Sequence, residues 1–212
     1  MTRISLLFLI ALLCAPAVFA QNQKDYSFYE FYVGYAYQRG NNNADFFDAN
    51  GLATFNNRRV NFSSEDKNFN GVTAEFNQNV TRHIGIVTSF TANFNNTGYA
   101  DINSGRLFQA SVQRYDLMIG PRYNWRLDNV TPFAHALFGF SHMRASFDDT
   151  LSPQRKSDTA FAMAFGGGLD VHAGDHVDIR PIMIEYVPTF FNGTHQNNYR
   201  VGAGVKVKFV DP

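Results

Sequence analysis

Histidines and the residues near them are the side chains of this 212-residue chain that could carry nucleophilic or metal chemistry. None of the six begins an HExxH motif, which holds zinc, or an H-x-S pattern, which sets an imidazole beside a serine on one strand face. The six are His83, His135, His142, His172, His176 and His195. The sequence therefore predicts no catalytic, cofactor or metal site, and we expect the protein not to be an enzyme.

Charged residues that alternate with bulky apolar residues form the second candidate site. Five are acidic and five are basic, so their charges sum to zero. Charges enclosed in protein need partners, so we predict an ion-pair network inside the fold. Its members are Glu30, Glu75, Asp116, Asp170, Glu185, Arg114, Arg122, Arg200, Lys206 and Lys208.

The element that must position these charges is the β-strand, because a two-residue period runs along eight segments. The segments are 28–38, 69–80, 84–95, 114–124, 132–143, 159–171, 177–190 and 199–209. The seventh has an ambiguous phase, since Arg180 shares parity with Ile182 and Ile184, and Pro181 and Pro188 suggest a bulge. We predict an all-β fold.

Residues 1–20 have the features of a secretory signal peptide. Arg3 is followed by an apolar stretch from residue 4 to residue 13, and Val18 and Ala20 are the small residues before a cleavage site. The single cysteine, Cys14, lies within this segment. We therefore predict a cleaved signal peptide over 1–20 and one domain over 21–212, with no disulfide framework.

The composition of the chain narrows its class. Lys+Arg and Asp+Glu are 18 each, so the chain lacks the basic excess of a nucleic-acid binder. The segment 21–212 has no apolar run near 20 residues, which excludes a membrane-spanning helix. The alternatives are a soluble exported protein, such as a ligand-binding barrel, and a membrane-spanning β-barrel, because only helices and closed barrels satisfy their backbone in lipid.

The predicted connections favour the membrane barrel. Long polar segments at 40–68, 96–107, 146–158 and 191–198 alternate with short links at 81–83, 125–131 and 173–176. Transmembrane barrels combine tight periplasmic turns with longer external loops in this order. We predict an antiparallel up-and-down barrel of eight strands, with both termini in the periplasm.

The composition of the two strand faces sets the orientation of the barrel. One face is glycine-rich and carries the charges, and a narrow eight-stranded lumen has room for such side chains. The other is rich in Phe, Tyr, Val, Ile and Leu, which suits lipid and would aggregate in water. We therefore predict that the apolar face points outward and that the charged face plugs the lumen.

Several segments resemble the bacterial outer membrane β-barrel domain family of small OmpA-like barrels. They are YVGYAYQR (32–39), RYDLMIGPRYNW (114–125), GGGLDV (166–171), IRPIMIEYVPTFF (179–191) and QNNYRVGAGVKVKF (196–209). The resemblance implies an outer membrane location in a Gram-negative-type bacterium. It also implies that the last strand, with Tyr199, Val205, Val207 and Phe209, resembles the signal read by the barrel-assembly machinery.

The leading functional hypothesis is a structural and surface-interaction barrel that displays its loops, chiefly 40–68. We expect it to be a monomer. The alternatives are a narrow channel or carrier for small, including apolar, solutes, and a lipid-modifying enzyme. We expect contact with outer membrane lipid and lipopolysaccharide, for which Arg58 and Arg59 are candidate phosphate ligands. The partner of the loops is unknown.

Overall fold

The structure, a computed structural model, describes residues 26–40, 52–55, 58–61, 67–100, 107–148, 154–191 and 194–209. No helix in these ranges is long and apolar enough to span a membrane. The strands are β1 (Tyr29–Gly40), β2 (Leu52–Phe55), β3 (Arg58–Asn61), β4 (Lys67–Asn79), β5 (Ile84–Ala100), β6 (Leu107–Asn124), β7 (Val130–Asp148), β8 (Gln154–His172), β9 (Val177–Phe191) and β10 (Thr194–Phe209).

Eight of these strands form a closed antiparallel barrel. Starting from β1, the order around the barrel is β10, β9, β8, β7, β6, β5 and β4, and β4 pairs again with β1. The pairing of Tyr29 with Phe209 on one side and with Gln78 on the other closes the ring. The prediction of an eight-stranded up-and-down barrel is confirmed, and closure leaves no lateral edge along the paired wall.

The apolar face of the barrel points outward, as predicted. Phe31, Phe90, Phe165 and Val205 are 40–45% exposed, whereas Glu75 and Arg200, which alternate with residues of this kind, are 1% exposed. Since strands alternate their side chains between two faces, these values place the charges in the lumen and the aromatic side chains on the outer surface.

The outward apolar side chains form a continuous band around the barrel. On β10 the band extends from Tyr199 to Phe209, and on β1 it extends from Phe31 to Tyr37. From Tyr199 to Phe209 the strand rises about 33 Å, which a tilt of about 40° reduces to about 25 Å. That height matches the apolar belt of barrels that cross a membrane.

Strands β5 to β8 are longer than the sequence predicts and extend beyond the band. They contain 17 to 19 residues, although about 11 suffice to cross a bilayer. Within the segments 96–107, 146–158 and 191–198, predicted as loops, the structure describes strand at residues 96–100, 107, 146–148, 154–158, 191 and 194–198. The prediction was wrong because bulky apolar residues do not alternate regularly with polar ones in these segments, although the pairing of the strands continues.

The first long connection contains a short hairpin. β2 and β3 pair antiparallel, with Leu52 opposite Asn61 and Phe55 opposite Arg58. Residues 41–51, 56–57 and 62–66 of the predicted loop 40–68 lie outside the described residues, as do the signal peptide residues 1–20. Arg58 and Arg59, predicted to lie in a loop, are therefore at the start of a strand.

A bulge in β9 resolves the ambiguous phase of the seventh predicted strand. Asp178 and Arg180 are buried, Pro181 and Ile182 are both exposed, and Met183 is buried again. The register shifts opposite this point, between Gly202 and Gly204 on β10. One extra residue therefore moves the lumen-facing positions from even to odd numbers, as β-bulges do.

Two facing glycines make room for a tyrosine ring inside the barrel. Gly34 and Gly204 are register partners, and the buried ring of Tyr32 lies beside both. A Cβ added at Gly204 would lie 2.2 Å from the Val33 carbonyl oxygen and 2.9 Å from Tyr32 Cε2. Because one of these neighbours is backbone, the barrel wall has no space for a side chain here.

We expect Gly204→Val to prevent correct closure of the barrel, because its side chain would meet the backbone of β1. Heat-modifiable migration on SDS gels of outer membrane fractions, which reports a folded barrel, would be lost. The matched control is Val205→Leu, a change to the adjacent outward side chain, which should migrate like the unmodified protein. A Gly204→Val protein with normal heat-modifiability would contradict this description of the wall.

Candidate functional site

The lumen contains the charged residues that the sequence predicted. Nine of the ten have a relative exposure of 0 or 1%, and Lys208 lies at the rim with 12% of its side chain exposed. Each comes from a strand whose outward neighbours are apolar, so the alternation that builds the band also directs the charges inward. The structure brings the ten residues into two clusters of ion pairs.

The turn-side cluster lies nearer the short connections and is centred on Asp170. Its carboxylate oxygens are 2.8 Å from Arg122 Nη2, 2.7 Å from Arg180 Nε and 2.9 Å from Lys206 Nζ. Arg180 Nη1 extends the cluster to Glu75 Oε2 at 2.7 Å. Three cations around one buried carboxylate compensate for its lost hydration, which an isolated charge could not.

The same cluster continues to the rim of the barrel at the short turns. Lys206 Nζ is 2.9 Å from Asp178 Oδ2 and 3.5 Å from Glu30 Oε2. Lys208 Nζ contacts Asp178 Oδ1 at 2.7 Å, and Arg126 Nη2 contacts Glu30 Oε1 at 3.0 Å. The pairs therefore connect strands that are distant in sequence across the short-turn end of the lumen.

The loop-side cluster contains the remaining predicted charges. Arg200 Nε donates to Glu185 Oε2 at 2.6 Å, and Arg200 Nη1 lies 3.3 Å from Asp116 Oδ2. Arg114 Nε donates to Asp116 Oδ1 at 2.9 Å. His135 Nε2 lies 2.9 Å from Glu185 Oε1. Charge-assisted hydrogen bonds of this kind join β6, β7, β9 and β10 across the barrel interior.

The sequence prediction omitted Arg126, Arg180, Asp178 and His135. Arg180 and Asp178 are fully buried and pair with predicted members, and their opposite charges cancel each other, while Arg126 pairs with Glu30 at the rim. The sequence suggested a bulge at Pro181 but left the phase of β9 ambiguous, so alternation alone could not place Asp178 and Arg180 in the lumen. His135 shares its face with residues of the lumen, but a histidine in an alternating strand gives no indication of its partner.

Aromatic rings inside the lumen fill the space between the guanidinium groups. The Phe133 ring centroid is 3.6 Å from Arg122 Cζ and 4.2 Å from Arg180 Cζ. The Tyr32 ring lies 4.0 Å from Arg180 Cζ. Cation–π attraction to desolvated rings stabilises these guanidiniums in addition to their ion pairs.

An apolar cluster occupies the lumen beside the charged residues. Its members lie on consecutive strands from β5 to β9 and have 0–2% exposure: Val87, Met118, Leu137, Ala162, Ala164 and Val187. Such packing excludes water from this part of the wall. Ion pairs and apolar side chains together therefore fill the described lumen, as a narrow eight-stranded barrel requires.

A cavity of about 810 Å³ lies at the short-turn end, where charges of both signs line it. His172 and Thr131 line this cavity, and His172 Nδ1 is 2.8 Å from Asp178 Oδ1 while His172 Nε2 is 3.3 Å from Thr131 Oγ1. The order carboxylate, imidazole, hydroxyl is that of a nucleophilic relay. Thr131 is fully buried, however, so we interpret these hydrogen bonds as structural contacts that hold the strands together at the rim.

In the ranges that the structure describes, no group of three or more His, Cys, Asp or Glu side chains could hold a metal ion.

The residues of the predicted assembly signal share the outward face of β10 and are 38–58% exposed: Tyr199, Val205, Val207 and Phe209. Their role in assembly stays a prediction.

Comparison with known proteins identifies the family. The chain matches the model of the outer membrane protein beta-barrel domain over residues 10–209. It belongs to that family. Membership implies the outer membrane of a Gram-negative bacterium, and it agrees with the resemblance found in the sequence. No curated protein matches the chain.

Solved structures of two outer membrane barrels share the fold. Ail, the attachment invasion locus protein of Yersinia pestis, in complex with the heparin analogue sucrose octasulfate, is 18% identical, with a TM-score of 0.52 over 85% of this chain and 99% of that one. Neisserial surface protein A (NspA) is 15% identical, with a TM-score of 0.55 over 86% of this chain and 98% of that one. Identities this low show the fold alone.

We expect Arg180→Met to destabilise the barrel strongly, because it leaves Asp170 and Glu75 short of a partner in a dry lumen. Removing one member of a buried ion pair costs about 3–5 kcal/mol of unfolding free energy. Denaturant unfolding of the purified barrel in detergent micelles measures the change.

The matched control for this experiment is Lys208→Met at the partly exposed rim. Asp178 keeps its contact with Lys206 there, so the loss should be about 1 kcal/mol or less. Equal losses for the two variants would contradict the view that the turn-side cluster holds the lumen together.

Proposed function

We propose that this protein is a structural and surface-interaction barrel of the outer membrane, in which a plugged barrel holds the long connections at the cell surface. The observation that carries the proposal is the filled lumen combined with the projecting strands. The barrel provides a rigid support, and the binding surface is at its loop end. We propose no catalytic role.

The filled lumen supports a scaffold rather than a conduit. Five arginine and lysine side chains in the lumen have 0–1% exposure, and their carboxylate partners are equally buried. Moving a solute past them would separate pairs at 2.6–2.9 Å in a low-dielectric interior. The pairs therefore act as cross-links between strands.

The projecting wall supports a role in surface interaction. β6, β7 and β8 remain paired up to Gln109 opposite Asp148 and Phe147 opposite Gln154, well beyond the apolar band. The β2–β3 hairpin adds a second ordered feature within the first long connection. Ail, which shares the fold, was solved with a sulfated saccharide, and a surface ligand for this chain is a proposal of the same kind.

A narrow channel or carrier for small solutes is the second candidate, and irregular pairing favours it. Between β8 and β9, the pairs that would join Met163 and Ala164 to Val187 and Pro188 are missing from the ladder. Pro188 has no N–H to donate. Ala164 and Val187 belong to the apolar lumen cluster, so a lateral exit for an apolar solute would lie here.

The route to the membrane is part of the proposal. We propose that the signal peptide 1–20 exports the chain and that the barrel-assembly machinery reads the outward face of β10, ending at Phe209. The folded protein is proposed to be a monomer in contact with outer membrane lipid. The partner of the surface connections is not identified.

Surface display predicts which connections antibodies can reach. An epitope inserted between residues 56 and 57, where β2 meets β3, should be detected on intact cells. As a matched control, the same epitope inserted after Gly174, whose surroundings are open, should be detected only after the outer membrane is permeabilised. Detection of the second epitope on intact cells would reverse the proposed orientation.

Conductance separates the two candidate functions. Because ion pairs and apolar side chains fill the lumen, we expect no stable open channels when the folded barrel is inserted into planar bilayers. Insertion is verified by protease protection of the reconstituted sample. Long-lived openings with a fixed unitary conductance would contradict the plugged barrel and support the channel.

A further inference from the structure

A group of hydrogen-bond donors lies on the outer surface of β7 and β8, on the loop side of the apolar band. The register places His142 opposite Thr159 and Arg144 opposite Ser157, and all four side chains are exposed. These four residues, the donor patch, occupy adjacent positions on one face because they are two residues apart on each strand. They supply a guanidinium, an imidazole and two hydroxyl groups.

Two aromatic rings lie directly below the donor patch. Phe140 and Phe161 are register partners, their ring centroids are 6.5 Å apart with the planes at 81°, and they are 62% and 43% exposed. They belong to the apolar band, so the patch lies where hydrocarbon gives way to headgroups. An amphiphile could place its acyl chain on the rings and its polar group among the donors.

The charge of the donor patch favours an anion. Arg144 contributes a permanent positive charge, and His142 Nδ1 is 2.7 Å from Thr159 Oγ1. Where exposure is described on β7 and β8, no carboxylate shares this outward face. Asp158 lies on the alternate face of β8, where its Oδ1 accepts a hydrogen bond from the Thr159 backbone N–H at 2.8 Å.

We propose that the donor patch binds a phosphate group of lipid A, the membrane anchor of lipopolysaccharide, from the outer leaflet. Arginine pairs with phosphate through two parallel hydrogen bonds, and the two hydroxyls and the imidazole offer further donors. The loop end of such barrels faces the outside, where lipopolysaccharide forms the leaflet. The assignment depends on the outer membrane location and not on the proposed surface partner.

The test compares binding of lipopolysaccharide to the purified full-length barrel in detergent micelles. A hydrogen bond to a charged group contributes about 1.5–3 kcal/mol, so we expect Arg144→Ala to raise the dissociation constant about tenfold or more. Arg144→Lys should recover part of the affinity. The matched control is Arg82→Ala, which removes an exposed cation at the short-turn end and should bind like the unmodified protein.

Three results would overturn the proposal. Unchanged affinity of Arg144→Ala would exclude the donor patch, equal affinity for dephosphorylated lipopolysaccharide would exclude a phosphate ligand, and equal affinity for phosphatidylglycerol would exclude lipid A as its source. Heat-modifiable migration verifies folding of each variant. Should Arg144→Ala fail to fold, Ser157→Ala applies the same test to the partner strand, with a smaller expected loss.

Discussion

The charges in the lumen must be paired, and this requirement constrains the rest of the barrel. A carboxylate such as Asp170 has no water to solvate it at 0% exposure, so three cations from β6, β9 and β10 must meet it. Those contacts fix which residue of each strand lies at which height. The ion pairs therefore help to define the register, while the outward apolar face is compatible with any even shift of the strands.

Because the charges in the lumen pair with opposite charges, the barrel can keep a polar interior within a membrane. The apolar band faces lipid and would be similar in any barrel of equal height. The interior instead carries the features particular to this chain, such as the contacts of Arg122 and Arg180 with the ring of Phe133. A buried network is retained for its specificity as much as for its contribution to stability.

Much of this architecture could be predicted from the sequence, because alternation is a strong signal where one face meets lipid. Strands, orientation and nine buried charges follow from it. Two kinds of feature could not be predicted. Pro181 suggests a bulge, but the pattern does not show at which residue of β9 the phase changes, so the burial of Arg180 stayed ambiguous. Beyond the band, apolar and polar residues in β5 to β8 no longer alternate regularly, so in sequence the strand continuing to Asp148 resembles a loop.

The uneven strand lengths have a consequence for how the surface is presented. β1 ends at Gly40, close to the top of the band, whereas β7 continues to Asp148. Among the strands that the structure describes, the loop-side wall of the barrel is therefore higher at β7 than at β1. A ligand could approach a barrel of uniform height equally from every side. A wall of uneven height makes those directions of approach different. Any ligand seated against the tall wall would be oriented by it as well as held.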